Sequence, residues 1–192
     1  RKTVSSRSSS GITVFPSTTC ALGDPRLKHL TRGRIYFLPG GHQWDAVDYP
    51  RIFVATLPIT AQQTIILLEQ ERFPVERRML LLAGGAPEGD ENLESAAQRE
   101  LLEESGYQGT LELLIKGFAQ HAAANTATAN IYVAWDCQRI SEPKLDEVEK
   151  IAGLRPLEFT RQQVRNLLAR GDPRLDSTLF AALCVLMAQG RL

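Results

Sequence analysis

By composition, Leu93–Glu104 is a helix, and three of its residues, Glu100, Glu103 and Glu104, fall at positions i, i+3 and i+4. That spacing crowds three carboxylates into about a third of the helix circumference, where like charges repel. Gly106 stands where a left-handed C-terminal cap belongs, and Gly84-Gly85 breaks the β-rich run Met79–Ala83 upstream. Any fold of this chain must therefore join a strand to an acidic helix through a glycine break. It must also solvate the three carboxylates or neutralise them with a cation. Hard divalent ions such as Mg²⁺ or Mn²⁺ take oxygen ligands of this kind, and at this point both arrangements stay open.

The rest of the chain supplies strands before and after this helix and helices at the end. Arg34–Leu38 and Arg51–Ile59 read as strands, with Pro39-Gly40-Gly41 as a turn between them, and Thr64–Glu69 is a further short β-rich run. Leu111–Phe118 and Asn130–Asp136 return to strand character on either side of an uncharged Ala/Thr/Asn loop, and Ser141–Lys150 reads as a polar, acidic connector. Thr160 and Gln163 form a capping box for a helix through Arg170, and Asp172-Pro173 is expected to open a last helix through Leu186. This order predicts an α+β domain with a mixed sheet rather than a regular βαβ repeat. Residues 1–33 read as a loosely ordered or accessory arm, and 34–192 as one domain.

Composition narrows the function classes. With 22 basic and 22 acidic residues the net charge is zero, so no bulk field attracts nucleic acid or an anionic membrane. No apolar run approaches the ~20 residues that span a bilayer. Cys20, Cys137 and Cys184 are odd in number and far apart, which points to reduced thiols in a cytoplasmic protein. Arg1–Ser10 lacks the apolar stretch of a signal peptide, and the missing initiator Met suggests residues upstream.

The stretch Gly85, Glu91, Arg99, Glu100, Leu101, Glu103, Glu104, Gly106 and Tyr107 resembles the Nudix box with every spacing intact. From average residue frequencies one window would match by chance with probability on the order of 10⁻⁹. The resemblance implies a Nudix-type α/β/α sandwich with a loop-helix-loop motif, and a Mg²⁺- or Mn²⁺-dependent hydrolase of nucleoside diphosphates linked to another group. By the same match Glu100, Glu103, Glu104 and the Gly84 carbonyl would hold the metal. Arg99 would orient the glutamates and Glu91 would brace the loop, while Leu93, Ala97 and Leu101 would pack.

Trp44-Asp45, the strand from Arg51, Gln70–Pro74 and Arg174–Thr178 look like the ADP-ribose pyrophosphatase branch of that family. In that branch the arginine matching Arg72 helps hold substrate, and a group near Trp44 or Arg51 reaches adenine or ribose. Two features depart from the branch: Leu81 replaces an acidic residue, and Ala122-Ala123-Ala124 stands where a Ser-Pro-Gly turn is usual. The water-activating carboxylate usually lies outside the box, and Glu147-Val148-Glu149 matches its Glu-x-Glu arrangement, with Glu149 nearer the following strand and so better anchored. His121, a lone loop histidine, is read as incidental.

The expected activity is hydrolysis of a nucleoside diphosphate sugar, ADP-ribose first, to two monophosphates. The alternatives are another nucleotide, NADH or a dinucleotide polyphosphate, and a Nudix-fold regulatory protein that binds without turnover. The expected partners are a small-molecule nucleotide and a second copy of the chain, since branch members are commonly homodimers whose N-terminal strands complete the neighbour's site. Arg34–Leu38 is the candidate for that part.

Overall fold

The computed structural model describes residues 52–122 and 125–192 in full, and the backbone of four short strands before them. Those strands are β1 (Ser6–Arg7), β2 (Thr13–Pro16), β3 (Gly33–Phe37) and β4 (Gln43–Val47). They pair antiparallel in the order β1-β2-β3-β4, with Tyr36 opposite Trp44. The residues group into two compact units, Arg1–Arg51 with His121–Ala127, and Ile52–Gln120 with Thr128–Leu192. Cys20, Arg51, Ala123, Ala124 and the side chain of Trp44 lie outside the described residues.

The second unit is built on a mixed sheet. Its strands are β5 (Ile52–Thr60), β6 (Thr64–Arg72), β7 (Arg77–Leu81), β8 (Tyr107–Ala119), β9 (Thr128–Arg139) and β10 (Arg155–Thr160). The order is β10-β6-β5-β9-β8, with β7 also paired to β6. Only the β5–β9 pair is parallel, with Leu57 opposite Val133. Strands β5 and β6 are near-continuous apolar runs because both of their faces are covered. Successive residues point to opposite faces, so Leu67, Leu82 and Val133 join one core cluster while Leu68, Leu81 and Ala134 join another.

Helix α1 (Leu93–Ser105) covers one face with Ala96, Ala97 and Leu101. Helices α3 (Arg161–Ala169) and α4 (Ser177–Ala188) cover the other with Val164, Leu167, Leu179, Leu183 and Leu186. The result is the helix-sheet-helix layering expected of the sequence. Asn92 caps α1 by accepting from Ser95 N at 2.9 Å, and Gly106 ends it at φ +78°. The capping box of Thr160 and Gln163 on α3 is also present.

Three local expectations need correction. The connector at Ser141–Lys150 contains the start of a further helix, α2 (Glu147–Ile151), closed by a second capping box between Asp146 and Glu149. The strand expected after Glu149 has no bounds in the sequence because its alternating charge and Pro156 mask them; it is β10, and an edge position tolerates both features. The last helix begins at Ser177 rather than Asp172, because residues 172–175 fold on themselves first. The Asp172 carboxylate accepts from Arg174 N at 3.0 Å, and the Asp172 carbonyl accepts from Leu175 N at 3.1 Å. Among the described residues no helix is long and apolar enough to cross a membrane.

Candidate active site

The chain after β7 runs as a ribbon beside β5. Thr56 N donates to Ala83 O at 2.7 Å and Val54 N to Gly85 O at 2.9 Å. Alternation along the ribbon turns both amide groups of Gly84 away from β5. On that side Gly84 N–H donates to Glu104 Oε2 at 2.6 Å, so the Gly84 carbonyl also lies on the side that Glu104 occupies.

The ribbon is glycine for lack of space. A Cβ on Gly84 would sit 2.1 Å from Val54 O and 2.8 Å from Ala55 Cα, both backbone atoms. A Cβ on Gly85 would sit 2.3 Å from Glu100 Oε1. The first glycine lets two backbones meet, and the second makes room for a carboxylate of α1.

Arg99 organises the acidic face. Its guanidinium donates to Glu91 Oε2 at 3.1 Å, Glu100 Oε1 at 3.0 Å, Glu103 Oε2 at 2.9 Å and Ala86 O at 3.2 Å. Glu91 in turn accepts from Glu88 N at 3.2 Å, which closes the loop ahead of the helix. The hydrogen bonds from Arg99 hold the Glu91 carboxyl below its usual range, and those bonds keep Arg99 fully charged.

Glu104 is buried and Glu100 is half-buried. Burial is the main cause that pushes Glu104 well above the ordinary carboxylate range, opposed by the Gly84 N–H and reinforced by Glu100 and Glu149. Glu100 is raised by burial too, with Arg99 opposing and Glu103 and Glu149 adding repulsion. Glu103 is more open, its side chain 43% exposed.

The structure therefore brings Glu149 to the glutamates of α1. It sits at the first turn of α2, partly buried, its Oε2 accepting from Asp146 N at 2.7 Å, and its carboxyl contacts that of Glu104. Glu147 points elsewhere: its side chain is 85% exposed and pairs with Lys150 at 2.9 Å.

Among the described residues no three His, Cys, Asp or Glu side chains converge as a finished metal cage, since Arg99 engages Glu100 and Glu103. The donor set still fits a hard divalent ion. Glu100, Glu104 and Glu149 gather oxygen donors that repel one another, and burial leaves the first two with few hydrogen-bond donors; a cation relieves both conditions.

The glycine ribbon also borders a cleft of about 290 Å³, lined by Arg72, Gly84, Gly85, Gln120, Asp176 and Thr178 with Phe53, Leu82 and other apolar residues. Arg72 thus stands at the cleft, and so does the Leu81 that replaces an acid, which is 4% exposed and packs with Leu101 of α1. Asp176, Thr178, Gln120 and Phe53 had no role in the sequence reading. Their signal in the sequence is the branch resemblance of the Arg51–Pro58 strand, which holds Phe53, and of Arg174–Thr178, which holds Asp176 and Thr178; Gln120 has none. His121 is exposed.

Known proteins resemble this chain in sequence and in fold. An ADP-ribose pyrophosphatase of Bacillus subtilis (strain 168) is 32% identical over 115 residues, covering 58% of this chain and 62% of that relative's length. A solved structure titled as that of an ADP compounds hydrolase superposes with a TM-score of 0.71, covering 93% of this chain and 94% of its own at 22% identity, a likeness of fold. The NUDIX domain profile matches residues 50–181, which span the ribbon, the acidic helix and the cleft, and on that match the chain belongs to the Nudix family.

Proposed function

We propose that the chain is a divalent-metal-dependent hydrolase that splits the pyrophosphate bond of a nucleoside diphosphate sugar, ADP-ribose first, into two monophosphates. One observation carries the reading: carboxylates from α1 and α2 gather at a glycine ribbon whose residues also line a cleft containing Arg72. A Nudix relative that is 32% identical over the matched stretch is an ADP-ribose pyrophosphatase, which supports the choice of substrate.

Glu100, Glu103, Glu104 and the Gly84 carbonyl would hold Mg²⁺ or Mn²⁺. When bound, the ion offsets the charge of the pyrophosphate and favours attack by water. The chain's own residues do the rest. Arg99 holds Glu100 and Glu103 in fixed rotamers, and Arg72 pairs with a phosphate or ribose oxygen in the cleft. Glu149, held by its capping box yet facing Glu104, takes the proton of the attacking water. Trp44 and Arg51 remain candidates for the adenine or ribose end, and a second copy of the chain for completing it.

A second reading is a Nudix-fold sensor that binds a nucleotide without turnover; retention of all four box glutamates favours catalysis. The test is phosphomonoester release in a coupled phosphatase assay across ADP-ribose, other diphosphate sugars, NADH, dinucleotide polyphosphates and nucleoside triphosphates, with Mg²⁺ or with EDTA. Release from ADP-ribose that EDTA abolishes is expected. No release from any compound favours the sensor, and release from triphosphates alone overturns the branch assignment.

A further inference from the structure

We propose that Asp176 is a specificity-determining residue, which selects diphosphates capped by a hydroxyl-bearing sugar over those ending in a bare phosphate. The proposal rests on the hydrolase reading for its substrate class and deepens it by naming a group that recognises the sugar.

The cleft holds one cation, Arg72, and one anion, Asp176, with Gln120 and Thr178 as its neutral polar groups and apolar residues between. A few fixed polar groups set among apolar residues orient a ligand. A pyrophosphate offers only acceptors and negative charge, so it is drawn to Arg72 and repelled by Asp176. The carboxylate must then face a part of the substrate that donates. In a diphosphate sugar that part is the sugar hydroxyls next to the phosphate; in a nucleoside triphosphate the same place holds a further phosphate, and a nucleoside diphosphate offers there only the added charge of its bare terminal oxygen.

Asp176 is fixed in place from three sides. Leu80 N donates to Arg174 O at 2.7 Å and Asp176 N donates to Leu80 O at 3.0 Å, pinning the segment to β7. Behind it Asp172 accepts from Arg174 N at 3.0 Å and from Arg170 Nη2 at 2.6 Å. Ahead of it, Asp176 Oδ1 accepts from Thr178 N at 2.9 Å and from the Thr178 hydroxyl, so α4 holds that oxygen. Among the described residues Oδ2 takes no hydrogen bond, and Asp176 is one of the residues that line the cleft. One oxygen caps the helix, and the other is left for a ligand. A group fixed in this way discriminates without having to be ordered by the substrate.

The test uses Asp176→Asn, and Asp176→Ser as a second variant, because both residues keep a capping oxygen. Affinities for ADP-ribose and for ADP are measured by calorimetry in EDTA, where no turnover intervenes. Steady-state kcat and KM follow in Mg²⁺, and thermal melting reports the fold. In the wild type ADP-ribose is expected to bind more tightly than ADP. In both variants that preference should fall by roughly tenfold or more, the size of one lost hydrogen bond to a charged group, through KM rather than kcat.

Equal change for both ligands, or none, overturns the proposal, and so does loss of the fold in both variants, which makes Asp176 a structural cap only. Selective binding without hydrolysis by the wild type overturns the hydrolase reading and leaves the role of Asp176 standing. Failure of the wild type both to bind either compound in EDTA and to hydrolyse ADP-ribose in Mg²⁺ overturns both.

Discussion

Replacing Gly84 and Gly85 in turn by alanine separates the two jobs of the ribbon. Neither has a positive φ, so strain from an unusual backbone conformation is not the issue; contact is. At Gly84 a Cβ meets Val54 O at 2.1 Å, and the ribbon must leave β5 to relieve it. Departure weakens the bonds from Thr56 N and Val54 N, at about 0.5–1.5 kcal/mol each. Overpacking adds about 1–3 kcal/mol. Together these give about 2–6 kcal/mol, or roughly 5–20 °C in Tm for a domain of this size. At Gly85 the clash is with the Glu100 carboxylate alone, which can swing aside. Gly85→Ala should therefore stay within about 1 kcal/mol of the wild type in stability, yet lose at least about tenfold in Mg²⁺-dependent rate. Thermal melting and a rate assay on the same preparations read both effects. A Gly84→Ala protein that melts within 2 °C of the wild type refutes the reasoning, as does a Gly85→Ala enzyme of unchanged rate.

Three further outcomes follow from side-chain placement. Glu149→Gln should depress kcat about 10²-fold or more with little change in KM, while Glu147→Gln, which removes only an exposed pair with Lys150, should do far less; steady-state kinetics on both checks this. Hydrogen bonds from Arg174 and Arg170 hold the Asp172 carboxyl well below its usual range, so its contribution is present above pH ~4 and lost as pH falls toward its folded value. Asp172→Asn should therefore cost about 1.5–3 kcal/mol at pH 7 by denaturant titration, with the difference from wild type shrinking below pH ~4. Leu101→Ala, at 0% exposure on the inner face of α1, should cost about 2–5 kcal/mol in the same titration.

The acidic helix was readable because its signals are local. Asn92 and Gly106 bound it, and the spacing of Glu100, Glu103 and Glu104 fixes their shared face whatever surrounds them. The continuous apolar runs of β5 and β6 announce strands covered on both sides. Helix α2 was harder to see, being five residues long and polar, with Val148 and Ile151 exposed; no apolar face marks it. The start of α4 was misplaced because Asp172-Pro173 and Asp176-Ser177 are equally good openings locally, and only the bridge to Leu80 selects the second. That bridge is also what brings Asp176 to the cleft. Contacts between residues nearly a hundred positions apart, such as Leu80 with Leu175, carry no trace in spacing.

The central claim is that the carboxylates around Glu104 support metal-dependent cleavage of a pyrophosphate. It is tested most directly by following ADP-ribose with ³¹P NMR in the presence of Mg²⁺, with the wild type and Glu104→Gln side by side. The wild type should convert the paired pyrophosphate signals into AMP and ribose 5-phosphate. Glu104→Gln should be at least ~100-fold slower, about 2.7 kcal/mol of lost transition-state stabilisation, while melting as a folded protein. Conversion by Glu104→Gln at a rate near that of the wild type would contradict the account.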